Sequence, residues 1–115
     1  MTPEDSDLLA EVSRELAILP GHWEWNCPTA EFAVDINRVE PPTRSPGTVG
    51  FDRTRLTSLM RQLRSAGEIP PVGLRRLGGR PYEYAVYDGY HRFWISLALG
   101  VRALPALLVE PIELR

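Results

Sequence analysis

Cysteine is nearly absent from this chain, and lysine is absent altogether. Cys27 is the single thiol among 115 residues, so no disulfide can form within the chain, and we expect an intracellular, cytoplasmic protein. All 13 basic residues are arginines, which excludes a P-loop lysine and a Schiff-base lysine. No apolar run approaches the ~20 residues that span a bilayer, and the acidic N-terminus lacks a signal-peptide pattern. These absences predict a protein without a membrane partner.

The composition is typical of one folded domain. With 115 residues and 43% hydrophobic content the chain can bury a core, and we expect a single domain with its core at residues 32–110 and an N-terminal extension at 1–31. The net charge of −2 hides an asymmetry: residues 1–35 carry eight acids and one arginine, whereas residues 36–115 carry twelve arginines and seven acids. The later part is locally basic, which suits an anionic ligand.

The first part of the chain predicts a helix followed by a strand. Apolar residues recur at helical spacing from Leu8 to Leu19, and Pro20-Gly21 ends the helix. Residues 32–39 alternate apolar and polar side chains, as a half-buried strand does. Three prolines and two glycines within residues 40–50 then indicate a loop.

A second helix and a hairpin are predicted next. The helix runs from Asp52, its cap, to Ala66, with Gly67 in the left-handed C-terminal position. Strands are predicted over residues 72–77 and 82–87, joined by a Gly-Gly-Arg-Pro turn.

A third helix and a last strand complete the predicted order. The helix begins after Asp88 and ends at Gly100. Residues 104–109 form the last strand, in which Pro105 indicates an edge strand or the start of a strand.

The sharpest local feature is a five-residue motif at the predicted strand-to-helix junction, Asp88-Gly89-Tyr90-His91-Arg92. The N–H groups of a first helical turn lack intrahelical partners and lie at the positive end of the helix dipole. Gly89 lets the backbone approach a ligand, Arg92 adds a charged planar fork, and His91 adds one or two donors. The motif predicts an anion site. A second interpretation stays open, in which Asp88 is only the N-cap, Gly89 a turn residue and Arg92 a solvated helical residue.

This motif and the order of the elements resemble the ParB/sulfiredoxin superfamily. Residues 34–39 resemble its opening strand, and residues 51–67 resemble its first helix. Residues 69–72, Ile-Pro-Pro-Val, are similar to the family's approach to the next strand, and residues 82–106 resemble the motif strand, the motif helix and the start of the final strand. The resemblance covers residues 33–109 and implies an α+β fold, a small mixed sheet packed with helices, here with an extra N-terminal helix.

The family motif has three informative versions. Sulfiredoxins have a nucleophilic cysteine where this chain has Tyr90, and Cys27 lies outside the resembling core, so we expect no reduction of cysteine sulfinic acid. ParB partition proteins have an arginine-rich version that binds CTP and continue into a DNA-binding helical domain; this sequence stops before such a domain, so we expect no specific DNA binding. ADP-dependent free serine kinases have Asp-Gly-His-His-Arg, the closest version, although their catalytic glutamate falls near Thr43 here, with Glu40 nearby.

The resemblance also implies a set of nucleotide-binding residues. The phosphates are expected at the first turn of the motif helix, on Gly89, Tyr90, His91 and Arg92. Arg55 and Ser58 match a lysine and a serine through which the first core helix of sulfiredoxins reaches the nucleotide, whereas Gln62 replaces a threonine. Considered without the resemblance, Arg55 and Ser58 belong to an ordinary polar helix face.

Catalytic roles and cofactors are expected on the same basis. Asp88 and His91 are the candidate catalytic residues, and the implied cofactor is ATP or ADP with Mg²⁺, which Asp88 would contact through water. We predict no metal site made by the protein alone, since His22 and Cys27 are two ligands short of a structural zinc site. Replacement of Arg92 by alanine is expected to remove most nucleotide affinity and to leave the fold intact.

Two classes of function are compatible with these residues. The first is a nucleotide-binding ParB-like domain, which as an enzyme is a phosphotransferase or ATPase acting on a small molecule or a protein. The second is a non-enzymatic regulatory module that binds DNA or protein. Residues 1–31 are expected to bind a protein partner or to fold back over the basic part of the chain, with Trp23 and Trp25 as packing residues.

Overall fold

Residues 3–43, 51–79 and 81–109 are described by a computed structural model of the chain. Their elements in chain order are α1 (Pro3–Glu15), β1 (Phe32–Asp35), a 3-10 turn (Ile36–Arg38), β2 (Val39–Glu40), α2 (Arg53–Ser65), β3 (Val72–Arg76), β4 (Tyr84–Asp88), α3 (Tyr90–Leu99) and β5 (Ala103–Leu108). Among the helices of these ranges, none is both long and apolar enough to cross a membrane.

Within the described ranges the strands form one mixed sheet in the order β1-β5-β3-β4-β2. The predicted hairpin is confirmed, because β3 and β4 pair in antiparallel fashion with Leu74 opposite Val86. The β3 and β5 strands are parallel, as are β2 and β4, whereas β1 runs antiparallel to β5. The α+β class with a small mixed sheet and an additional N-terminal helix is therefore confirmed.

The single strand predicted over residues 32–39 is wrong. It is divided by the 3-10 turn into β1 and β2, which lie at opposite edges of the sheet. Asp35 starts the turn, since its Oδ1 accepts the N–H of Asn37 at 2.9 Å, a local bond that competes with strand pairing. Ile36 and Val39 are both buried although they are three residues apart, so the turn keeps the apolar face toward the core.

The edge position indicated by Pro105 is also wrong. The β5 strand lies between β1 and β3, and Pro105 stands opposite Ala33 of β1. Pairing with β3 begins only at Ala106, which is opposite Val72. Pro105 thus precedes the residues of β5 that pair with β3, so its missing N–H removes no hydrogen bond from that pairing.

The N-terminal end of α2 is as predicted, whereas its C-terminal end differs from the prediction. Asp52 is the N-cap, and its carboxylate accepts the N–H of Thr54 at 3.0 Å. Ala66, and not Gly67, takes the left-handed conformation, with φ 56°, because the helix already ends at Ser65. The N–H of Gly67 then donates to the carbonyl of Gln62 at 2.9 Å, the bond of a Schellman motif.

Two apolar clusters form the core, and the N-terminal segment belongs to one of them. The helical cluster contains buried residues of α1, α2 and α3 together with Trp25, and the second cluster lies on the sheet around Phe93. The indole Nε1–H of Trp25 donates to the buried hydroxyl of Ser96 at 2.6 Å. The packing role predicted for Trp25 is confirmed.

Candidate functional site

The motif lies where β4 passes directly into α3. Gly89 is the N-cap of α3 with φ 122°, a conformation that residues with a side chain rarely adopt. A Cβ at this position would lie 3.0 Å from Cγ1 and 3.1 Å from Cγ2 of Val72. The interpretation of Asp88 as the cap is wrong, because Asp88 is the last residue of β4 and α3 has no side-chain cap bond. Gly89 thus contributes no side-chain acceptor at the positive end of the α3 dipole.

A cleft of about 330 Å³ opens in front of this helix end, and we name it the motif cleft. Its lining residues come from the chain after β2, from α2, from β4 and from the first turn of α3: Pro42, Thr43, Arg55, Val86, Tyr87, Asp88, Gly89, Tyr90 and His91. The indole of Trp94 donates to the carbonyl of Pro42 at 3.2 Å, which attaches the segment after β2 to α3.

The His91 side chain joins α3 to the start of α2. Its Nε2 accepts the backbone N–H of Asp52 at 3.3 Å, so a neutral ring carries its proton on Nδ1. Its ring centroid lies 5.0 Å from that of Phe51. The ring is half-buried, and it lines the motif cleft beside Arg55.

Tyr90 is directed toward the N-terminal helix. Its hydroxyl donates to Oδ2 of Asp5 at 3.3 Å, and its ring forms edge contacts with Phe51 and Trp94 at centroid distances of 5.5 and 6.3 Å. At the position of the sulfiredoxin nucleophile this chain thus has a phenol engaged with a buried carboxylate.

Arg92 is buried, with 3% of the residue exposed. Its guanidinium donates to the carbonyls of Pro70 and Pro71, the latter at 2.6 Å, and lies 3.7 Å from Oδ2 of Asp88. Burial lowers the pKa of Arg92 from its usual value, and the Asp88 carboxylate opposes part of that shift. The interpretation of Arg92 as a solvated helical residue is wrong, because its side chain is buried and bonds the chain leading into β3. These bonds argue against the expectation that Arg92→Ala leaves the fold intact. Its role as a phosphate ligand stays a prediction.

Ser58 lies apart from the other predicted ligands. It lines a separate groove on α2 together with Arg61 and Gln62, whereas Arg55 lines the motif cleft. The structure therefore brings together Arg55, Asp88, Gly89, Tyr90 and His91, but not Ser58. Among the described residues, no group of three or more His, Cys, Asp or Glu side chains could hold a metal ion.

Two residues at the rim of the site were absent from the predicted set. Asp5 was not among the predicted site residues, yet it is 3% exposed. Its spacing from Leu9 and Val12 places it on the apolar stripe of α1, which is the signal that identifies it. Phe51 follows a segment outside the described residues, and nothing in the sequence marked its ring as a neighbour of His91.

The N-terminal segment folds back over the core. The guanidinium of Arg53 on α2 lies 3.3 Å from Glu11 and 2.5 Å from Glu15, both on α1. An apolar groove of about 560 Å³ runs along α1 and residues 17–20, with Leu19 76% exposed beside it. The expected protein partner for residues 1–31 stays a prediction.

Comparison with known proteins identifies the family. The ParB N-terminal domain model matches residues 29–114, so this chain belongs to the ParB N-terminal domain family. In structure it is similar to the C-terminally truncated chromosome-partitioning protein ParB from Caulobacter crescentus complexed with CTP-γ-S. That similarity has a TM-score of 0.54 and 20% identity over 70% of this chain and 44% of that chain. A comparison with curated proteins found no match.

The same Caulobacter protein, complexed to the centromeric parS site, gives a TM-score of 0.50 and 17% identity over 70% of this chain and 40% of that chain. The chain therefore spans less than half the length of both ParB chains. The expectation that this chain lacks specific DNA binding finds no support in that match and stays a prediction.

Proposed function

We propose that this protein binds a nucleotide in the motif cleft, with the phosphates at the N-terminus of α3. The observation that carries the proposal is the lining of one cleft by Arg55, His91 and a helix end without a side-chain cap. A phosphate suits that position, because first-turn N–H groups and the helix dipole favour an anion. Arg55 adds a permanent charge from the facing helix. The CTP-γ-S bound to the Caulobacter ParB supports a nucleotide as the ligand class.

The base and the cation are the finer part of the proposal. The motif of residues 88–92 most closely resembles that of the free serine kinases, which supports an adenine nucleotide; CTP is the alternative. Mg²⁺ usually takes one or two carboxylates together with substrate phosphates. The carboxylate of Asp88 lines the cleft and is 73% exposed, so it fits a water-mediated contact with a phosphate-bound Mg²⁺.

If the protein is an enzyme, Asp88 is the group that takes the proton from an acceptor hydroxyl. Its carboxylate is exposed to the cleft, whereas Nε2 of His91 already accepts the N–H of Asp52. His91 and Arg55 then stabilise phosphate charge. Replacement of Asp88 by asparagine should abolish phosphoryl transfer or hydrolysis, while nucleotide affinity measured without Mg²⁺ changes little.

The proposal is tested by melting the protein with ATP, ADP, CTP and GTP, each with and without Mg²⁺. A ligand at a hundredfold excess over its Kd stabilises the folded state by about 2.7 kcal/mol, which gives a clear rise in Tm. Arg55→Ala should weaken binding by roughly tenfold to a hundredfold, because it removes a charge-assisted bond of about 1.5–3 kcal/mol. Arg61→Ala is the matched control, since Arg61 is exposed on the same helix and lines the separate groove. The absence of a Tm rise with every nucleotide would contradict the proposal.

A further inference from the structure

The N-terminal helix carries a buried carboxylate that reaches the motif. Asp5 lies in α1, outside residues 29–114 that the family model matches, and is 3% exposed. Its Oδ1 accepts the backbone N–H of Phe51 at 2.9 Å, and its Oδ2 accepts the hydroxyl of Tyr90 at 3.3 Å. One carboxylate thus connects α1 to the residue before the α2 cap and to the first turn of α3.

Of the two residues bound by Asp5, Tyr90 itself lines the motif cleft, and Phe51 contacts His91, which also lines it. The Phe51 ring lies 5.0 Å from the ring of His91 and 5.5 Å from that of Tyr90. The next N–H along the chain, that of Asp52, donates to Nε2 of His91. A displacement of Phe51 or of Tyr90 therefore moves His91, because the rings and the hydrogen bond form one connected group.

Burial makes this carboxylate costly unless hydrogen bonds compensate it. Other contacts attach α1 independently of it: Leu9 and Val12 belong to the core, and Glu11 and Glu15 pair with Arg53. Asp5 is thus one of several contacts that attach α1, and it differs from the others in that two of its bonds reach Phe51 and Tyr90 beside the motif cleft.

We propose that Asp5 is a positioning residue of the motif cleft, through which the N-terminal helix fixes Phe51 and Tyr90 and thereby sets the orientation of His91. The inference rests on the proposed nucleotide function and extends it to a part of the chain outside the family core. Nucleotide affinity in this protein then depends on α1, although no residue of α1 lines the cleft.

The test compares Asp5→Asn, Tyr90→Phe and the double variant with wild type. Asp7→Asn is the matched control, since it makes the same change at an exposed carboxylate of the same helix. Tyr90→Phe keeps the ring and removes only the hydroxyl, so it remains informative if Asp5→Asn folds poorly. For each protein we would measure the Tm, the Kd for the nucleotide that binds wild type most tightly, and hydrogen exchange at the amides of Phe51 and Asp52.

We expect Asp5→Asn and Tyr90→Phe each to raise Kd by roughly twofold to thirtyfold, which is the range of effects for residues that act through others. Kd is measured at a temperature where both variants are fully folded. The double variant should bind no more weakly than Asp5→Asn alone, because the Tyr90 hydroxyl acts through its bond to Asp5, which Asp5→Asn already disturbs. Exchange at Phe51 and Asp52 should quicken in Asp5→Asn and not in Asp7→Asn. A lower Tm with unchanged Kd in both single variants would overturn the inference and leave the nucleotide function standing. Failure of wild type to bind any nucleotide would overturn the proposed function, and the positioning role would fall with it, whatever the exchange rates show.

Discussion

Neighbouring motif residues point in different directions from the first turn of α3. His91 lines the motif cleft, whereas Arg92 lies beneath the turn with its guanidinium on the carbonyls of Pro70 and Pro71. Arg92 is therefore part of the support on which the cleft is built: it fixes the chain that enters β3 against the helix that begins at Gly89.

Arg92→Ala should lower the free energy of unfolding by about 2–4 kcal/mol, because it removes a buried side chain and the two hydrogen bonds that its guanidinium donates to the carbonyls of Pro70 and Pro71. Arg92→Lys should recover part of the loss, since lysine keeps the charge but cannot bond both carbonyls with one planar fork. Urea denaturation of the apo protein measures the change. Arg61→Ala serves as the exposed control, with an expected change within about 0.5 kcal/mol. A wild-type stability for Arg92→Ala would show that the burial of this side chain is of no energetic consequence.

Gly89→Ala should be destabilising by about 2–4 kcal/mol, because two separate costs add. The backbone φ of 122° is strained for any residue with a Cβ, and that Cβ would meet Val72 at 3.0 Å. Gly78→Ala is the control, since an added Cβ there meets nothing within 4 Å. The Tm of the two variants should differ by several degrees; equal values would mean that the junction can relax to accept a side chain.

At this scale the sequence predicted the motif and several of its residues, but not their directions. Asp88, Gly89, Tyr90 and His91 were identified from their place at a strand-to-helix junction, and they do line one cleft. Which side of the turn Arg92 occupies depends on Pro70 and Pro71, more than twenty residues away. A local sequence pattern carries no information about a contact between residues so far apart in the chain, so the burial of Arg92 could not be predicted.

The helix α1 packs into the helical core cluster and is not only an N-terminal extension. Val12 is fully buried in the helical cluster, and Asp5 joins the same helix to the motif. The helix lies outside residues 29–114, which the family model matches.

Val12→Ala should therefore cost about 1.5–3 kcal/mol, the loss expected when buried methyl groups are removed from a packed site. Ser6→Ala, on the exposed side of the same helix, should leave the free energy of unfolding nearly unchanged. Thermal and chemical denaturation should agree on the difference. If Val12→Ala were neutral, α1 would contribute no packing energy to the domain.

Helices were easier to predict than strands because their signals are local. Asp52 marked the start of α2 and Gly100 the end of α3, each through a backbone bond or conformation of its own turn. The break between β1 and β2 was missed because Val34 and Ile36 keep the period of a strand. The one sign of the turn was the three-residue spacing between the apolar residues Ile36 and Val39. Its significance is seen only in the structure, where β1 pairs with β5 and β2 pairs with β4.

At the scale of the whole molecule, the acidic and basic parts of the sequence lie against each other. Residues 1–35 carry eight acids, and two of the acids pair with Arg53 across the α1–α2 contact. This contact therefore pairs one of the twelve arginines of residues 36–115 with acids of the N-terminal helix.

Any binding of duplex DNA by this chain should be weak, independent of sequence and steeply dependent on salt, because the arginines are scattered along a chain of net charge −2. Contacts to phosphates alone give Kd values of ~10⁻⁴–10⁻⁶ M at physiological salt. Fluorescence anisotropy with duplexes of different sequence, each at two salt concentrations, measures both properties. Replacing the exposed Arg75 and Arg76 of β3 by alanine should weaken all duplexes equally, since phosphate contacts carry no base information. Tight binding to one sequence that persists at physiological salt would contradict this prediction, because it requires contacts to base edges and not to phosphates alone.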